Sequence, residues 1–294
     1  MTDQKPPLAV LSSADTEDVD DSPACVMTFN ANDPCGAGGL TADITAIVSV
    51  GAHPLAVATG VYVRDTTNIV DFIALDEEAV TEQARAVLED VTVDAFKVGF
   101  LGSPESISVV AQIASDYPDV AVIAYMPDLS WWDERQIDNY LDAFRELLLP
   151  QASILVGNYS TLWRWLLPDW AGECSPSALD IAIAASALGV SYTFVTGMVL
   201  PEQLIDNVLA SEKAVLLSGK FERVEAVFSG AGDTLSAALA ALLANGNALD
   251  EAATEALTYL DHSLDSGFQP GMGNALPDRM FWAQPEDEDA EAGK

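Results

Sequence analysis

Short apolar runs alternate with amphipathic stretches along nearly the whole chain, and this alternation restricts the fold more than any other feature. Segments 26–29, 55–63, 95–99, 120–125, 153–156, 193–196 and 213–217 read as strands. Between them, 40–50, 77–88, 105–116, 135–149, 177–188, 234–244 and 250–264 read as helices. Strands separated by helices of this length build parallel sheets, because a parallel partner is reached only through a long crossover. The expected class is α/β, a mostly parallel sheet with helices on both faces. Ligands bind such sheets beyond the carboxyl ends of the strands. A chain of 294 residues with 50% apolar content buries a full core. With no repeat or internal linker, one domain over 25–283 is expected, between acidic tails at 1–24 and 284–294 that read as disordered.

Two glycine-rich segments stand out. In Phe228-Ser229-Gly230-Ala231-Gly232-Asp233-Thr234-Leu235 a small-residue turn runs into an Ala/Leu-rich helix. The first N–H groups of a helix lack intrahelical partners, and the helix dipole is positive there, so such a turn suits an anion. Asp233 beside it suits a general base, which a kinase acting on a hydroxyl needs. The alternative is a plain loop in which Asp233 only caps the helix. The second segment, Asn30-Ala31-Asn32-Asp33-Pro34-Cys35-Gly36-Ala37-Gly38-Gly39-Leu40-Thr41-Ala42-Asp43, follows an apolar strand and enters the next helix. It too places free N–H groups at a strand's carboxyl end, with Asp33 and Asp43 as acceptors.

The run Asp33 to Asp43 resembles the D-P-[ST]-G-G-A-G-[IL]-Q-A-D signature of the hydroxymethylpyrimidine/phosphomethylpyrimidine kinases of thiamine biosynthesis, in the ribokinase-like superfamily. The likeness continues through Gly51-Ala52-His53, Asp65-Thr66-Thr67, Phe96-Lys97-Val98-Gly99-Phe100-Leu101-Gly102, Leu147-Leu148-Leu149-Pro150, the Gly230 motif, Gly267 to Gly273 and Pro277-Asp278-Arg279. The ordered blocks cover about residues 25–283. The resemblance implies a three-layer α/β/α sandwich and an ATP- and Mg²⁺-dependent kinase. It implies Asp233 as catalytic base and Gly230, Ala231 and Gly232 as an anion hole. It places Ala31, Asp43, Arg64 and Phe100 at the pyrimidine, and Asn158, Thr196 and Gly197 at the nucleotide. It also implies a homo-oligomer.

The chain departs from the pattern at several points. Asp233 stands where these kinases usually have Cys. Arg64 replaces a pyrimidine-reading Gln; it donates only, and it forks well onto phosphate or carboxylate. Tyr125-Met126-Pro127-Asp128 replaces a D-P-[VM] strand end, and Thr161 and Met198 fall in altered nucleotide-side motifs. The departures leave two alternatives open: a kinase for another hydroxymethyl heteroaromatic of pyridoxal type, or a pyrimidine-binding regulatory relative without transfer.

Twelve basic residues face 46 acidic ones, a net charge of -34. Such a surface repels nucleic acid and anionic membrane. It fits a salt-adapted protein or a merely acidic one. No apolar run nears the ~20 residues of a membrane span, and the polar N-terminus is unlike a secretory signal, so a cytoplasmic protein is expected. Cys25, Cys35 and Cys174 show no metal spacing and fit a reducing compartment. Cys35 is expected as a small buried residue, with a reactive thiol as the alternative. His53 and His262 read as structural, and no metal ligands are identified. Trp131, Trp132, Trp163, Trp165 and Trp170 read as packing or interface residues, with stacking on a heteroaromatic substrate as the alternative.

Overall fold

A computed structural model describes residues 22–283; the tail expectations for 1–21 and 284–294 lie outside the described residues. A nine-stranded sheet has the order β3-β2-β1-β4-β5-β6-β7-β8-β9. Its parallel centre comprises β1 (Cys25–Asn32), β2 (His53–Arg64), β4 (Ala95–Val98), β5 (Ala121–Met126), β6 (Ile154–Asn158) and β7 (Tyr192–Val199). Antiparallel strands extend both edges: β3 (Ile69–Ala74) on one side, β8 (Leu204–Ala210) and β9 (Val215–Glu222) on the other.

Alternate strand residues face opposite layers, as the pleat requires. Met27, Phe29, Phe96, Val122, Ala124 and Leu155 pack toward α2 (Glu77–Leu88), α3 (Pro104–Asp116), α4 (Glu134–Ala143), α5 (Tyr159–Leu166) and α6 (Ala178–Ser186). Val26, Ala95, Ile123, Ile154, Val156 and Phe194 pack toward α1 (Gly39–Ser49), α7 (Ala231–Ala244) and α8 (Leu249–Asp265). The result is the expected α/β/α sandwich. The same pleat sends Thr28, Asn30 and Lys97 to the α1/α7 side. Helix α7 is buried nearly all round, and its alanines let α1, α8 and the sheet close on it.

Several expectations change. The sequence pattern does not mark strands β3 and β8 or helix α5, and the expected strand 213–217 is β9, shifted to 215–222. Edge strands carry a weak apolar signal because one face meets water, as in β9, where exposed and half-buried residues alternate. The expected helix 135–149 is α4 followed by a π-helical turn, Phe144–Leu148, and a short 3₁₀ turn, Leu149–Gln151, which starts at a residue preceding Pro150. Among the described residues no helix is long and apolar enough to cross a membrane.

Strand β1 leads through α1 to β2 on one side, while β4 flanks β1 on the other. The connections therefore diverge at β1, and a crevice opens at its carboxyl end. Both glycine segments meet there.

Candidate active site

The segment after β1 is held in shape by Asp33. Its carboxylate accepts from the N–H groups of Cys35 at 2.9 Å and Gly38 at 2.8 Å. Gly39 follows with φ +59°, and a Cβ there would collide with the carbonyl of Ala31. The second turn pivots on Gly230, φ +89°, where a Cβ would strike the carbonyl of Ala37. The two glycine segments thus touch, backbone to backbone. Arg279 ties them: its Nε donates to Thr234 Oγ1 at 2.8 Å, Nη1 to Gly36 O at 3.1 Å, and Nη2 to Ala37 O. Burial lowers the Arg279 pKa, with nearby Asp233 opposing the shift.

Gly230 is the N-cap of α7, and the first helical bond runs from Thr234 N to Gly230 O at 3.0 Å. The N–H groups of Ala231, Gly232 and Asp233 precede it, so three donors stand at the positive end of the helix. Asp233 does not cap its own helix. Its Oδ2 accepts from Gly39 N at 3.1 Å, and its Oδ1 from Asn30 Nδ2 at 3.0 Å and Lys97 Nζ at 2.7 Å. The capping alternative therefore fails on geometry: the carboxylate turns back toward β1 and β4.

Beneath it lies a buried polar cluster. Lys97, fully buried on β4, also pairs with Asp43 Oδ1 at 2.6 Å. That contact is an ion pair out of hydrogen-bond line, since Asp43 Oδ1 has no aligned donor. Asp43 Oδ2 accepts from Thr28 Oγ1 at 2.6 Å and Asn30 Nδ2 at 2.9 Å. Asn30 spends its other end on the N–H groups of Ala31 and Phe100, which fixes its amide orientation. Burial raises the Asp43 pKa, with Lys97 opposing and Asp233 reinforcing. Burial also disfavours the Lys97 ammonium, but Asp233 and Asp43 outweigh it and the lysine pKa rises.

A cleft of about 370 Å³ opens over this cluster, lined among others by Asp33, Tyr62, Arg64, Tyr125, Trp131 and Asp233. Arg64 Nη1 meets Asp33 Oδ2 at 3.2 Å. Its Nε donates to the backbone carbonyl of Asp65 at 3.0 Å. Ala31, Asp43 and Phe100, expected at the substrate, do not reach the cleft wall. Asp43 lies one layer down, paired with Lys97 and bonded by Asn30. Phe100 stacks under Tyr62, with ring centres 5.7 Å apart, so Tyr62 and Trp131 present the aromatic surface instead. Trp132 packs against Phe100 and Tyr140.

A second cavity, about 310 Å³, lies on the other side of the turn and reaches Ala231. Asn158, Thr196 and Gly197 all line it, with Phe228, Leu257 and Leu260 as apolar walls. Asn158 also caps α5, accepting from Ser160 N at 3.0 Å, and Gly197 N donates to Asn207 Oδ1 at 2.9 Å. The two cavities therefore meet at Gly230-Ala231. Thr161 is buried in α5 and Met198 lies half-buried on β7. Cys35 is half-buried rather than buried, and burial and Asp33 push its thiol pKa up, against a reactive thiolate.

Sequence reasoning placed Lys97 and Arg279 inside resembling blocks but gave neither a role. A lysine in the middle of a buried-strand run, Ala95-Phe96-Lys97-Val98, was the available signal for the first. Nothing local marks the second.

A family model described as phosphomethylpyrimidine kinase matches residues 33–278. The chain is 27% identical over 253 residues to the hydroxymethylpyrimidine/phosphomethylpyrimidine kinase of Streptomyces coelicolor, covering 86% of this chain and 93% of that protein. It is 28% identical over 248 residues to a thiamine biosynthetic bifunctional enzyme of Arabidopsis thaliana, covering 82% of this chain and 46% of that protein. In fold it is similar to the pyridoxal kinase of Bacillus subtilis solved as an ADP complex, with TM-score 0.79 at 20% identity, covering 90% of this chain and 100% of that one.

Proposed function

The chain belongs to the phosphomethylpyrimidine kinase family, and from that premise we propose that it transfers a phosphoryl group from ATP to 4-amino-5-hydroxymethyl-2-methylpyrimidine, and then to its monophosphate, for thiamine diphosphate synthesis. The observation that carries this reading is Asp233. It stands at the mouth of a three-donor helix terminus, between two cavities that meet at one turn.

The pyrimidine occupies the cleft of Asp33, Arg64 and Asp233, stacked against Tyr62 or Trp131. The nucleotide occupies the cavity of Asn158, Thr196 and Gly197, its base among Phe228, Leu257 and Leu260. The junction at Gly230-Ala231 then receives the transferred phosphoryl group. Phosphoryl transfer asks the protein mainly for alignment and charge stabilisation. The N–H groups of residues 231–233 supply the second. Asp233 takes the hydroxyl proton: Lys97 and Asn30 occupy its Oδ1, and Oδ2 holds a single backbone donor, leaving a lone pair for the substrate.

Mg²⁺ carried on nucleotide phosphates needs only one or two protein oxygens. Asp128 at the cleft fits such a contact, although among the described residues no group of three or more acidic, Cys or His side chains forms a metal cluster. When bound, the ion neutralises phosphate charge. An acidic chain with few cations depends on it and on backbone donors for ATP.

The test is ADP release by purified protein with ATP and Mg²⁺ on a panel of hydroxymethylpyrimidine, its monophosphate and pyridoxal. Turnover of the pyrimidines well above pyridoxal is expected. Preference for pyridoxal would move the chain to the other vitamin kinase chemistry, and no turnover of any would favour a binding protein.

A further inference from the structure

Lys97 and Asp43 have no direct part in the transfer described above. Neither lines the cleft, yet both are fully buried, at 0% exposure. A buried ammonium requires a counter-ion. One carboxylate would satisfy it, and this site spends two, Asp233 at 2.7 Å and Asp43 at 2.6 Å. Asn30 then bonds both carboxylates through one amide nitrogen.

The second carboxylate has a consequence for proton transfer. With Asp233 as sole partner, Lys97 would be stranded whenever Asp233 picked up a proton. It would therefore hold Asp233 in the charged form and weaken it as a base. Asp43 removes that penalty, because the lysine remains paired after Asp233 is neutralised.

We infer that Lys97 and Asp43 form a fixed ion pair that positions Asp233 and preserves its basicity, Lys97 anchoring the carboxylate and Asp43 holding the lysine's charge while Asp233 accepts the substrate proton. This rests on the reading of Asp233 as the base. The balance is simple. The substrate O–H breaks, its proton goes to Asp233, and its oxygen bonds the γ-phosphorus as the ADP oxygen leaves. Lys97 and Asp43 exchange no proton, and the cluster's charge changes from -1 to 0.

Among the described residues, other ionisable groups surround the cluster. Asp33 and Arg64 pair with each other beside the cleft, and Arg279 is spent on Gly36, Ala37 and Thr234. Tyr62, from β2, is buried and Tyr125, from β5, is half-buried; the pKa values of both phenols rise, by burial first and then by Asp233. Tyr125 presents its ring to Lys97 with the nitrogen 5.7 Å from its centre. Asp128 also lies on the cleft, beyond the end of β5. Among the described residues Lys97 is thus the cation in contact with Asp233.

The experiment is the pH dependence of kcat/KM for the hydroxymethylpyrimidine with saturating ATP, in wild type, Lys97→Met, Asp43→Asn and the double variant. Thermal melts establish folding, and Asp233→Asn checks the base separately. In Lys97→Met two carboxylates share Asn30 with no cation, so the acid limb should move up by about one pH unit or more. In Asp43→Asn the lysine falls wholly to Asp233. The acid limb should move down, and kcat should fall about tenfold with both KM values little changed. The double variant removes a neutral pair, so its acid limb and kcat should return toward wild type, the non-additivity expected of coupled residues. Additive losses, or single variants whose limbs stay put or move together, would overturn the inference. If Lys97→Met does not fold, the comparison of Asp43→Asn with the double variant decides: a kcat loss that Lys97→Met fails to recover refutes it. Near-normal turnover of Asp233→Asn would instead remove the base, and this inference with it.

Discussion

Arg279 joins the two halves of the site, and its removal should be felt in both stability and turnover. The residue is 7% exposed. Its backbone carbonyl is pinned by Ser49 Oγ and Tyr259 Oη, each at 2.8 Å, and its guanidinium reaches Gly36, Ala37 and Thr234. Arg279→Ala deletes three hydrogen bonds from a charged donor. Such bonds contribute about 1.5–3 kcal/mol each in isolation. They do not add here. Desolvation of the guanidinium offsets part of the gain, Thr234 Oγ1 keeps its bond to Gly230 O at 2.9 Å, and water can enter the space left. The remaining cost is that of two loop carbonyls losing their donor, about 2–4 kcal/mol together. In a chain of this size about 1 kcal/mol corresponds to roughly 2–4 °C of Tm, so a loss of about 4–16 °C is expected by calorimetry. The first glycine segment would also drift from the α7 terminus. Displacements near 1 Å can cost up to about a hundredfold in rate, so kcat should fall at least about tenfold while KM for ATP changes little. Arg279→Lys, reaching one carbonyl at most, should lie between. A Tm within about 2 °C of wild type, with kcat intact, would refute the clamp.

Three further outcomes are expected. Gly230→Ala, at φ +89° and against Ala37 O, should lose most turnover, and a nearly active variant would show that the turn relaxes freely. Arg64→Gln leaves Asp33 uncompensated on the cleft wall, so kcat/KM should fall more for the pyrimidine monophosphate than for the uncharged alcohol, by up to about tenfold; an unchanged ratio would mean Asp33 absorbs the arginine charge completely. With a net charge of -34, Tm should rise as NaCl goes from about 0.05 to 1 M, because added ions shorten the screening length from above 10 Å to about 3 Å. A flat or falling Tm would contradict self-repulsion as a destabilising force here.

Most of the parallel centre of the sheet was legible because β1, β4, β5 and β6 are buried on both faces and read as largely apolar runs, as in Val26 to Phe29. Both glycine segments were legible because positive φ and close backbone approach demand glycine at Gly39 and Gly230. The antiparallel strands were less so: β3 and β8 go unmarked and β9 is displaced, because Asp71, Asp206, Ser218 and Lys220 interrupt their apolar runs. Helix α5 was missed because it is short and opens directly from Asn158. The supports of Asp233 were hidden for a different reason. Lys97 lies 136 residues from Asp233 in sequence, and its burial makes sense only once the fold brings two carboxylates to it. Distance in sequence likewise hid the Arg279 clamp, 242 residues from Ala37.

The central claim, Asp233 as base, is tested most directly by comparing the two phosphoryl transfers in Asp233→Asn. The hydroxymethyl group must lose a proton to become a nucleophile. A phosphate monoester, with a second pKa near 6, is already ionised at pH 8 and needs no base. Single-turnover rates with ATP and Mg²⁺ at that pH should therefore fall by about 10²–10⁴ for the hydroxymethylpyrimidine and far less for its monophosphate. Equal losses on both substrates would contradict general-base catalysis by Asp233 and leave it a purely structural part of the cradle.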